Sequence, residues 1–473
     1  MLIINDNLDI FKVEFKEKNV LIKNVLIILK ILIKIFLIII FLFSIYFNKY
    51  FNNNKSNNKT KIMNNKNIYG NEKISHNMSQ NNYNNISIQF NNIYNVINKL
   101  KSDYKNRNPQ YILLFDFFIN KYCNDLNSYL IFKYYQQNNK TQAYYIINNE
   151  SILYKSLLKK NETNNLIPIN PLINYWNKLY NFILNSKIIV QSYIFIDFQI
   201  LISQVNFLKY LKINHGVRYF KKFLAKYELK HINISKFNTI ITSPYEYDIY
   251  KNKFHLKDDN LFKAGLPRFD RFNNLNINKT NKKCILIAFT YRSYNNKVYE
   301  ISLFKKNLDN LFEDQTLISF LKIKKIDLIY IPHHFDILRK RPFNPKKYPY
   351  IKYKKQKDLS YYIEHCSLCV TDFSSISFDF MFQNKPTLFY LIDLNDSINF
   401  LEKKYMNNTK KENIYFGNVF IEKQKLIQRI KYYINNNFNI GNKLKKKYQS
   451  LFYYKKNITK RIVEIIDKII TKN

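Results

Sequence analysis

The sequence predicts an α/β protein built from two Rossmann-like domains that face a cleft. From about residue 109 onward, short apolar runs alternate with helical stretches, which is typical of parallel sheets with crossover helices. The alternation forms two series, with a junction near residues 266–282. Polar motifs follow several of the apolar runs, where parallel strands place their ligand-binding loops. A chain of 473 residues is long enough for two or three such domains.

The N-terminal hundred residues differ from the rest in composition. Val25 to Phe47 is almost wholly Ile, Leu, Phe and Val, interrupted by two lysines. This segment predicts one transmembrane or deeply interfacial helix, with packing on the protein itself as the alternative. The following stretch is rich in Asn and Lys and is typical of a tether, with one helix near Ile93–Leu100.

The chain therefore divides into four predicted segments. They are a tail with a membrane helix over 1–48, a tether over 49–106, a first Rossmann-like domain over 107–270, and a second over 271–473. The second domain ends in basic amphipathic helices between Glu422 and Ile470.

The predicted strands are runs of apolar, β-branched and aromatic residues, a composition that favours buried strands. In the first series they are Tyr111–Phe118, Ala143–Asn148, Lys187–Ser192, Leu211–Asn214, Thr239–Thr242 and Leu261–Ala264. In the second series they are Cys284–Thr290, Asp327–Pro332, Tyr350–Tyr353, Leu368–Thr371 and Thr387–Ile392.

The formal net charge is +42, which favours an anionic partner such as anionic lipid, a polyanionic substrate or nucleic acid. The basic residues are spread along the whole chain without a nucleic-acid motif, so we expect no nucleic-acid partner. Four cysteines without regular spacing argue against a disulfide framework. Cys366 and Cys369 lie in an apolar run, which favours packing over metal or redox chemistry.

The most informative stretch is Thr371-Asp372-Phe373-Ser374-Ser375, between a predicted strand and a predicted helix. Free backbone N–H groups and the positive end of the helix dipole lie at such a junction, and the two serine hydroxyls add donors. The pattern predicts a phosphate-binding site. The alternative is that Ser374 or Ser375 only caps the helix.

Two histidines also follow predicted strands. His215 precedes Gly216, which allows the backbone to turn or to approach another group closely. His333 follows Pro332 and can protonate or hydrogen-bond a phosphate oxygen near neutral pH. A lone histidine is more often structural, but the position at a strand end favours catalysis or binding. Because neighbours on an extended chain point apart, we do not expect His333 and His334 to share a metal.

Two arginines and an aspartate complete the set. Arg268 and Asp270 follow a turn fixed by Gly265 and Pro267. They either face the cleft or pair with each other, and a boundary turn with a surface ion pair is the alternative. Arg292 either clamps a phosphate through its guanidinium group or is a solvated charge. Together the motifs predict one crevice that moves a phosphorylated group without a Walker-type loop.

These motifs resemble, in order and spacing, those of the CDP-glycerol glycerophosphotransferase family, the teichoic acid primases and polymerases. The matching pairs are His215-Gly216 with HGT-x-x-K, Gly265 to Asp270 with GYPRND, Ala288 to Arg292 with APTWR, Pro332-His333 with RPHP, and Thr371 to Tyr390 with TDYSS…FD…KRP…FY. The resemblance covers roughly residues 107–465. Val217, Ile331 and His334 depart from the family's residues at their positions.

The resemblance implies a GT-B-like fold and transfer of a polyol phosphate from a CDP-activated donor. It implies that His215 is the general base and that His333 binds and protonates the pyrophosphate. The implied substrate-binding residues are Gly216, Arg268, Asp270, Arg292, Thr371, Asp372, Ser374 and Ser375. CDP-glycerol is then a co-substrate, and neither a cofactor nor a metal is expected.

The sequence thus predicts a glycerophosphotransferase of teichoic-acid-like or capsular polymer synthesis that releases CMP. Its expected partners are the CDP-polyol donor, a lipid-linked or polymeric polyol-phosphate acceptor and an anionic membrane surface. We expect it at the cell membrane, with the catalytic domains on the cytoplasmic side. The alternatives are a ribitol-phosphate or other nucleotide-sugar transferase, and a basic membrane-tethered binding protein without catalysis.

Overall fold

The computed structural model describes residues 93–116, 127–138, 141–170, 175–192, 196–217, 236–273, 283–292, 296–339, 341, 343–393 and 418–472. The predicted membrane helix over 25–47 and most of the predicted tether lie outside these ranges. Within them, no helix combines the length and the apolar character needed to cross a membrane. The four predicted segment boundaries stay predictions.

The first sheet has seven strands in the order β3-β2-β1-β4-β5-β6-β7, and every pairing in it is parallel. The strands are β1 Tyr111–Phe115, β2 Ala143–Asn148, β3 Leu166–Ile169, β4 Ser186–Gln191, β5 Tyr210–Lys212, β6 Asn238–Ile241 and β7 Leu261–Lys263. Because all run the same way, the loops after β5 and β7 lie at the same edge of the sheet.

The second sheet has six strands in the order β10-β9-β8-β11-β12-β13, again all parallel. The strands are β8 Cys284–Ile287, β9 Asp327–Tyr330, β10 Ile351–Tyr353, β11 Leu368–Thr371, β12 Thr387–Tyr390 and β13 Val419–Phe420. Since β9, β8 and β11 are neighbours, the loops that follow them share one edge. Two parallel sheets in series are what the sequence predicts.

Helices connect the strands and cover the sheets. In chain order they are α1 Asn127–Asn138, α2 Ile152–Lys159, α3 Trp176–Leu184, α4 Ile196–Gln204, α5 Pro244–Asp248, α6 Phe269–Asn273, α7 Asn296–Ile301, α8 Leu303–Phe312, α9 Gln315–Ile323, α10 His334–Leu338, α11 Leu359–His365, α12 Ile376–Phe382, α13 Lys423–Asn435, α14 Gly441–Ser450 and α15 Ile458–Thr471. The described chain also begins in a helix over 93–102, where one was predicted.

All eleven predicted strands are present, although several end one to three residues earlier than predicted. Two strands were missed, β3 and β13, and both are edge strands. Pro168 lies in β3, and a proline cannot donate a hydrogen bond to a neighbouring strand, so a sheet tolerates it at an edge. The predictive signals for a strand, apolar length and absence of proline, are weakest at such edges.

The last helix returns to the first domain. Ile458, Ile462, Ile466 and Ile469 form its buried face, at the three- and four-residue spacing of an amphipathic helix. They belong to a hydrophobic cluster that includes side chains of both sheets. Through this cluster α15 packs against both domains. Burial of each of these isoleucine side chains contributes about 1.5–3 kcal/mol to the free energy of folding.

Candidate active site

The loop after β5 and the loop after β11 touch each other, although they belong to different sheets. A Cβ atom placed on Gly216 would lie 2.5 Å from the Oγ atom of Ser375 and 2.7 Å from its Cβ atom. No ordinary side chain fits at that distance. The predicted convergence of the His215 motif and the serine pair is therefore present, and the glycine permits it.

Arg268 bridges the same two loops. Its Nη1 atom donates to the backbone oxygen of His215. Its Nε and Nη2 atoms donate to the two carboxylate oxygens of Asp379 at 2.7 and 3.1 Å. Asp379 lies on α12 of the second domain, and both side chains of this ion pair are largely buried. The predicted alternative of an ion pair with Asp270 is wrong, because Asp379 takes that place.

Asn127 binds the His215 loop directly, and Asp116 holds the helix start on which Asn127 lies. Asn127 donates through Nδ2 to the backbone oxygen of Asn214 at 3.1 Å and accepts from the backbone N–H of Arg268 at 3.3 Å. The buried carboxylate of Asp116 accepts the backbone N–H groups of Ser128 and the next residue, both at 3.0 Å. Burial raises the pKa of Asp116, and these hydrogen bonds fix the start of α1.

The serine pair lies at the start of α12 as predicted. The Ser375 side chain makes no cap hydrogen bond to the helix, so the cap alternative is wrong for this residue. The backbone oxygen of Ser374 accepts from Ser377 Oγ at 2.8 Å. The Ser375 hydroxyl thus lies against Gly216 rather than against its own helix. Its contact with a donor phosphate stays a prediction.

Arg292 is buried between two carboxylates. Its Nε and Nη2 atoms bind Asp393 at 2.6 and 2.8 Å, and Nη1 binds Asp372 at 2.8 Å. Asp372 also accepts from the backbone N–H and the hydroxyl of Thr290, both at 2.9 Å. The solvated-charge alternative is wrong because the arginine side chain is only 5% exposed. The direct phosphate contacts of Arg292 and Asp372 stay predictions.

These bonds tie the ends of three strands together. Thr371 donates its hydroxyl to the backbone oxygen of Ala288, so β8 and β11 are linked twice at their carboxyl ends. Asp393 follows β12, and its ion pair with Arg292 connects the end of β12 to the ends of β8 and β11. The network holds the loop from Asp372 to Ser375 in place and so positions the serine pair.

His333 lies at the same edge of the second sheet, after β9. Its ring packs beside the ring of Tyr291, with centroids 5.2 Å apart, and its Nδ1 atom accepts from the backbone N–H of Phe335 at 3.3 Å. A tautomer that accepts at Nδ1 carries its proton on Nε2. That nitrogen is the one with which His333 can donate to a phosphate oxygen.

His334 differs from His333 in its surroundings. Burial lowers the pKa of His334 to about 4, so its imidazole is neutral near pH 7 and does not deliver a proton there. The two imidazole rings lie side by side, with centroids 4.3 Å apart, because the chain turns into α10 at this point. The expectation that the rings point apart is therefore wrong.

Asp270 lies apart from the other predicted site residues. Its two carboxylate oxygens accept the backbone N–H groups of Ile458 and Thr459 at 3.0 and 2.7 Å, which is the position of an anion at the start of a helix. Gly265 also contacts α15, because a Cβ atom there would lie 3.1 Å from Ile458 Cδ1. The motif from Gly265 to Asp270 thus anchors α15 as well as supplying Arg268.

Sequence reasoning named Asp116, Asn127 and Asp393 in no role. Asp116 and Asp393 directly follow apolar runs, and that signal was available, but the predicted first strand extended past Asp116 to residue 118. Asp379 is the aspartate of the FD element in the motif from Thr371 to Tyr390, and no role is predicted for it. The cations that follow Val217, at 218, 221 and 222, lie outside the described residues.

We expect Gly216→Ala to disrupt the site. The new methyl group would overlap both the Oγ and the Cβ atoms of Ser375, so one of the two loops must move, at a cost of about 1–3 kcal/mol. The measurement is the urea midpoint together with donor turnover. Ser375→Gly in the same chain should restore the stability, whereas Ser375→Ala should not, because it keeps the Cβ atom. An unperturbed Gly216→Ala variant would contradict the close approach.

Comparisons with known proteins agree with this architecture. The family model of CDP-Glycerol:Poly(glycerophosphate) glycerophosphotransferase matches residues 98–468. A structure of the wall teichoic acid polymerase TagF aligns with a TM-score of 0.55 and 16% identity, over 82% of this chain and 98% of that one. At that identity the likeness shows the fold alone, which is the predicted GT-B-like arrangement of two parallel-sheet domains.

Two curated relatives come from Bacillus subtilis (strain 168). The minor teichoic acid biosynthesis protein GgaB is 24% identical over 72% of this chain and 38% of its own length. The teichoic acid glycerol-phosphate primase is 27% identical over 44% of this chain and 57% of its own length. The chain thus spans about half the length of these relatives. Because the family model matches more than three quarters of the sequence, the chain belongs to the CDP-glycerol:poly(glycerophosphate) glycerophosphotransferase family.

Proposed function

We propose that this protein transfers a polyol phosphate, glycerol phosphate in the first place, from a CDP-activated donor to an acceptor hydroxyl and releases CMP. The observation that carries the proposal is the contact between the His215 loop and Ser375. It brings a candidate base of one domain next to a candidate phosphate-binding loop of the other. The family membership supports the same reaction class and the same polymer, a teichoic acid.

In the proposed reaction His215 accepts the proton of the acceptor hydroxyl as its oxygen attacks the β-phosphorus of the donor. The new O–P bond forms while the bond from the β-phosphorus to the departing CMP oxygen breaks. The hydrogen bond from Arg268 to the backbone oxygen of His215 holds the base in position. No covalent intermediate with the protein is needed.

The second domain is proposed to hold the diphosphate. Ser374, Ser375 and the first N–H groups of α12 donate to nonbridging oxygens, and His333 donates from Nε2 to the departing phosphate. Such donors are fixed before the reaction, so they stabilise the developing charge without reorganisation. Gly216, Thr371, Asp372, Arg268 and Arg292 shape or brace the pocket. For Asp270 we propose an indirect role through α15.

The functional test is a donor panel scored by CMP release. We expect acceptor-dependent turnover with CDP-glycerol. Faster turnover with CDP-ribitol would assign the other polyol, and turnover with another nucleotide-sugar would assign a different transferase. Binding of CDP-glycerol without turnover in the presence of every acceptor would favour the binding protein.

We expect Ser375→Ala chiefly to weaken donor binding, by about five- to tenfold, because one charge-assisted hydrogen bond to phosphate is lost. The measurement is the Kd for CDP-glycerol beside the urea midpoint. Ser450→Ala is a matched control, since Ser450 is an exposed serine near the end of α14. An unchanged Kd in Ser375→Ala would remove the serine from the proposed donor site.

The proposal also includes the cytoplasmic face of the cell membrane as the place of action. The net charge of +42 favours contact with anionic lipid, and the apolar segment from Val25 to Phe47 supplies a candidate anchor. Flotation of the full chain with phosphatidylglycerol vesicles tests this. The chain should float in its full length and lose much of that binding when residues 1–48 are removed.

A further inference from the structure

A concave surface away from the candidate active site lies between α13 and α14, and we call it the α13–α14 pocket. It is an open concavity with a volume of about 640 Å³, within the range of about 300–1,000 Å³ typical of ligand sites, and most of its lining residues are exposed. Asn418, which immediately precedes β13, lines it and donates to Tyr433 Oη at 3.3 Å. The pocket therefore lies toward the amino ends of the strands, whereas the candidate active site lies at their carboxyl ends.

The lining of this pocket is cationic. Arg429 comes from α13, and Lys443 and Lys447 come from α14. Among the described residues that line it there is no Asp or Glu. None of the three cations forms an ion pair with a carboxylate in the described ranges. Three like charges around one concavity repel each other, and an anion between them removes that repulsion.

The rest of the lining is rich in amides. The amide side chains belong to Asn418, Asn436, Asn439 and Asn442. Asn436 already donates to the Tyr432 backbone oxygen and Asn439 already accepts from the Gly441 N–H, both at 2.8 Å, so the first keeps its amide oxygen and the second its NH₂ group for a ligand. Gly441 begins α14 with φ +71°, and a Cβ atom there would meet nothing within 4 Å, so the space beside it is open. The cations can bind phosphate groups and the neighbouring amides can bind hydroxyl groups. This combination fits a ligand in which phosphates alternate with hydroxyl-bearing units.

We propose that the α13–α14 pocket binds a segment of polyol-phosphate chain. Its phosphodiester groups lie against Arg429, Lys443 and Lys447, and its hydroxyl groups lie against the asparagine amides. A concave, amide-lined surface fits a flexible soluble chain better than a flat membrane, whose headgroups would meet the outward-facing lysines of α14 first. The ligand class rests on the proposed function, which makes such a chain, and the pocket would hold the product away from the reacting end.

The test is the binding of soluble glycerol-phosphate oligomers to the full chain. One variant carries Arg429→Gln, Lys443→Gln and Lys447→Gln. The matched control carries Lys445→Gln, Lys446→Gln and Lys456→Gln, which removes three exposed charges outside the pocket lining. We expect the pocket variant to bind about tenfold or more weakly and the control to change by less than about twofold. Equal weakening in both would overturn the proposal.

A second arm separates the chain from a lipid headgroup. The same variants are floated with vesicles of phosphatidylglycerol in phosphatidylcholine. A pocket variant that loses vesicle binding but keeps oligomer binding overturns the proposal in favour of lipid. Should the triple variant fold poorly, Lys443→Glu with Lys447→Glu, at two exposed positions, must give the same loss of oligomer binding.

Failure of this proposal is distinguishable from failure of the proposed function. CMP release with a short acceptor should be unchanged in the pocket variant, because none of the three cations lies in the candidate active site. Turnover without pocket-dependent oligomer binding overturns only the pocket. Oligomer binding that depends on the pocket, in a chain that releases no CMP, supports the pocket and overturns the transferase.

Discussion

His215→Ala should lower the rate of CMP release by about two to four orders of magnitude, because a general base contributes that much to such a step. The fold should survive, since the backbone oxygens of residues 214 and 215 accept hydrogen bonds that hold this loop, and the substitution leaves both in place. The measurement is acceptor-dependent turnover beside the Kd for CDP-glycerol, which should change little.

A matched control for this variant is His255→Asn. His255 lies in the same domain and is exposed, and its φ of 57° suits asparagine. It should keep full turnover and full stability. If His215→Ala retained nearly normal turnover, another group would have to remove the acceptor proton, and the assignment of the base would be withdrawn.

Arg292→Ala should give the largest loss of stability, about 3–5 kcal/mol. The substitution leaves Asp372 and Asp393, whose side chains are 0% exposed, without their shared cation. Burial of an unpaired carboxylate is costly, so the second domain should unfold at lower urea concentration. Arg292→Lys should recover part of the loss, because it restores the charge without the two-pronged geometry.

The control for Arg292 is Arg271→Ala. Arg271 pairs with Glu364 at 3.6 Å near the surface, and such pairs contribute about 0–1 kcal/mol. The two arginines therefore separate a buried bridge from a partly exposed one. A stable Arg292→Ala variant that only binds CDP-glycerol more weakly would mean that Arg292 clamps phosphate instead of bracing the strand ends.

The fold followed from the sequence where the signal was strong. The buried strand Leu368–Thr371 of the second sheet is a nearly continuous apolar run, and its predicted bounds agree with the structure at both ends. The edge strand that contains Pro168 lacks that signal, since proline and partial exposure interrupt the run. The amphipathic C-terminal helices were predicted as a group. That α15 packs on the first domain was not, because periodicity says which face is buried but not against what.

The sequence predicted where the site residues lie, at the ends of strands, better than it predicted which partner each side chain binds. Position after a strand places a side chain at the correct edge, and His215, His333 and Ser375 all lie there. It does not reveal which partner a charge finds. Arg268 pairs with Asp379 from the other domain, and Asp270 caps α15. Both contacts join residues more than a hundred positions apart, which no local pattern encodes.

We propose that the loops of the two parallel-sheet domains that meet at His215 and Ser375 form a phosphotransfer site. The most direct measurement is CMP release by the purified chain given CDP-glycerol and a lipid-linked polyol-phosphate acceptor, with His215→Ala run beside it. We expect turnover that requires the acceptor and disappears in the variant. Turnover that persists in the variant, or no CMP from any CDP-polyol, would contradict this proposal.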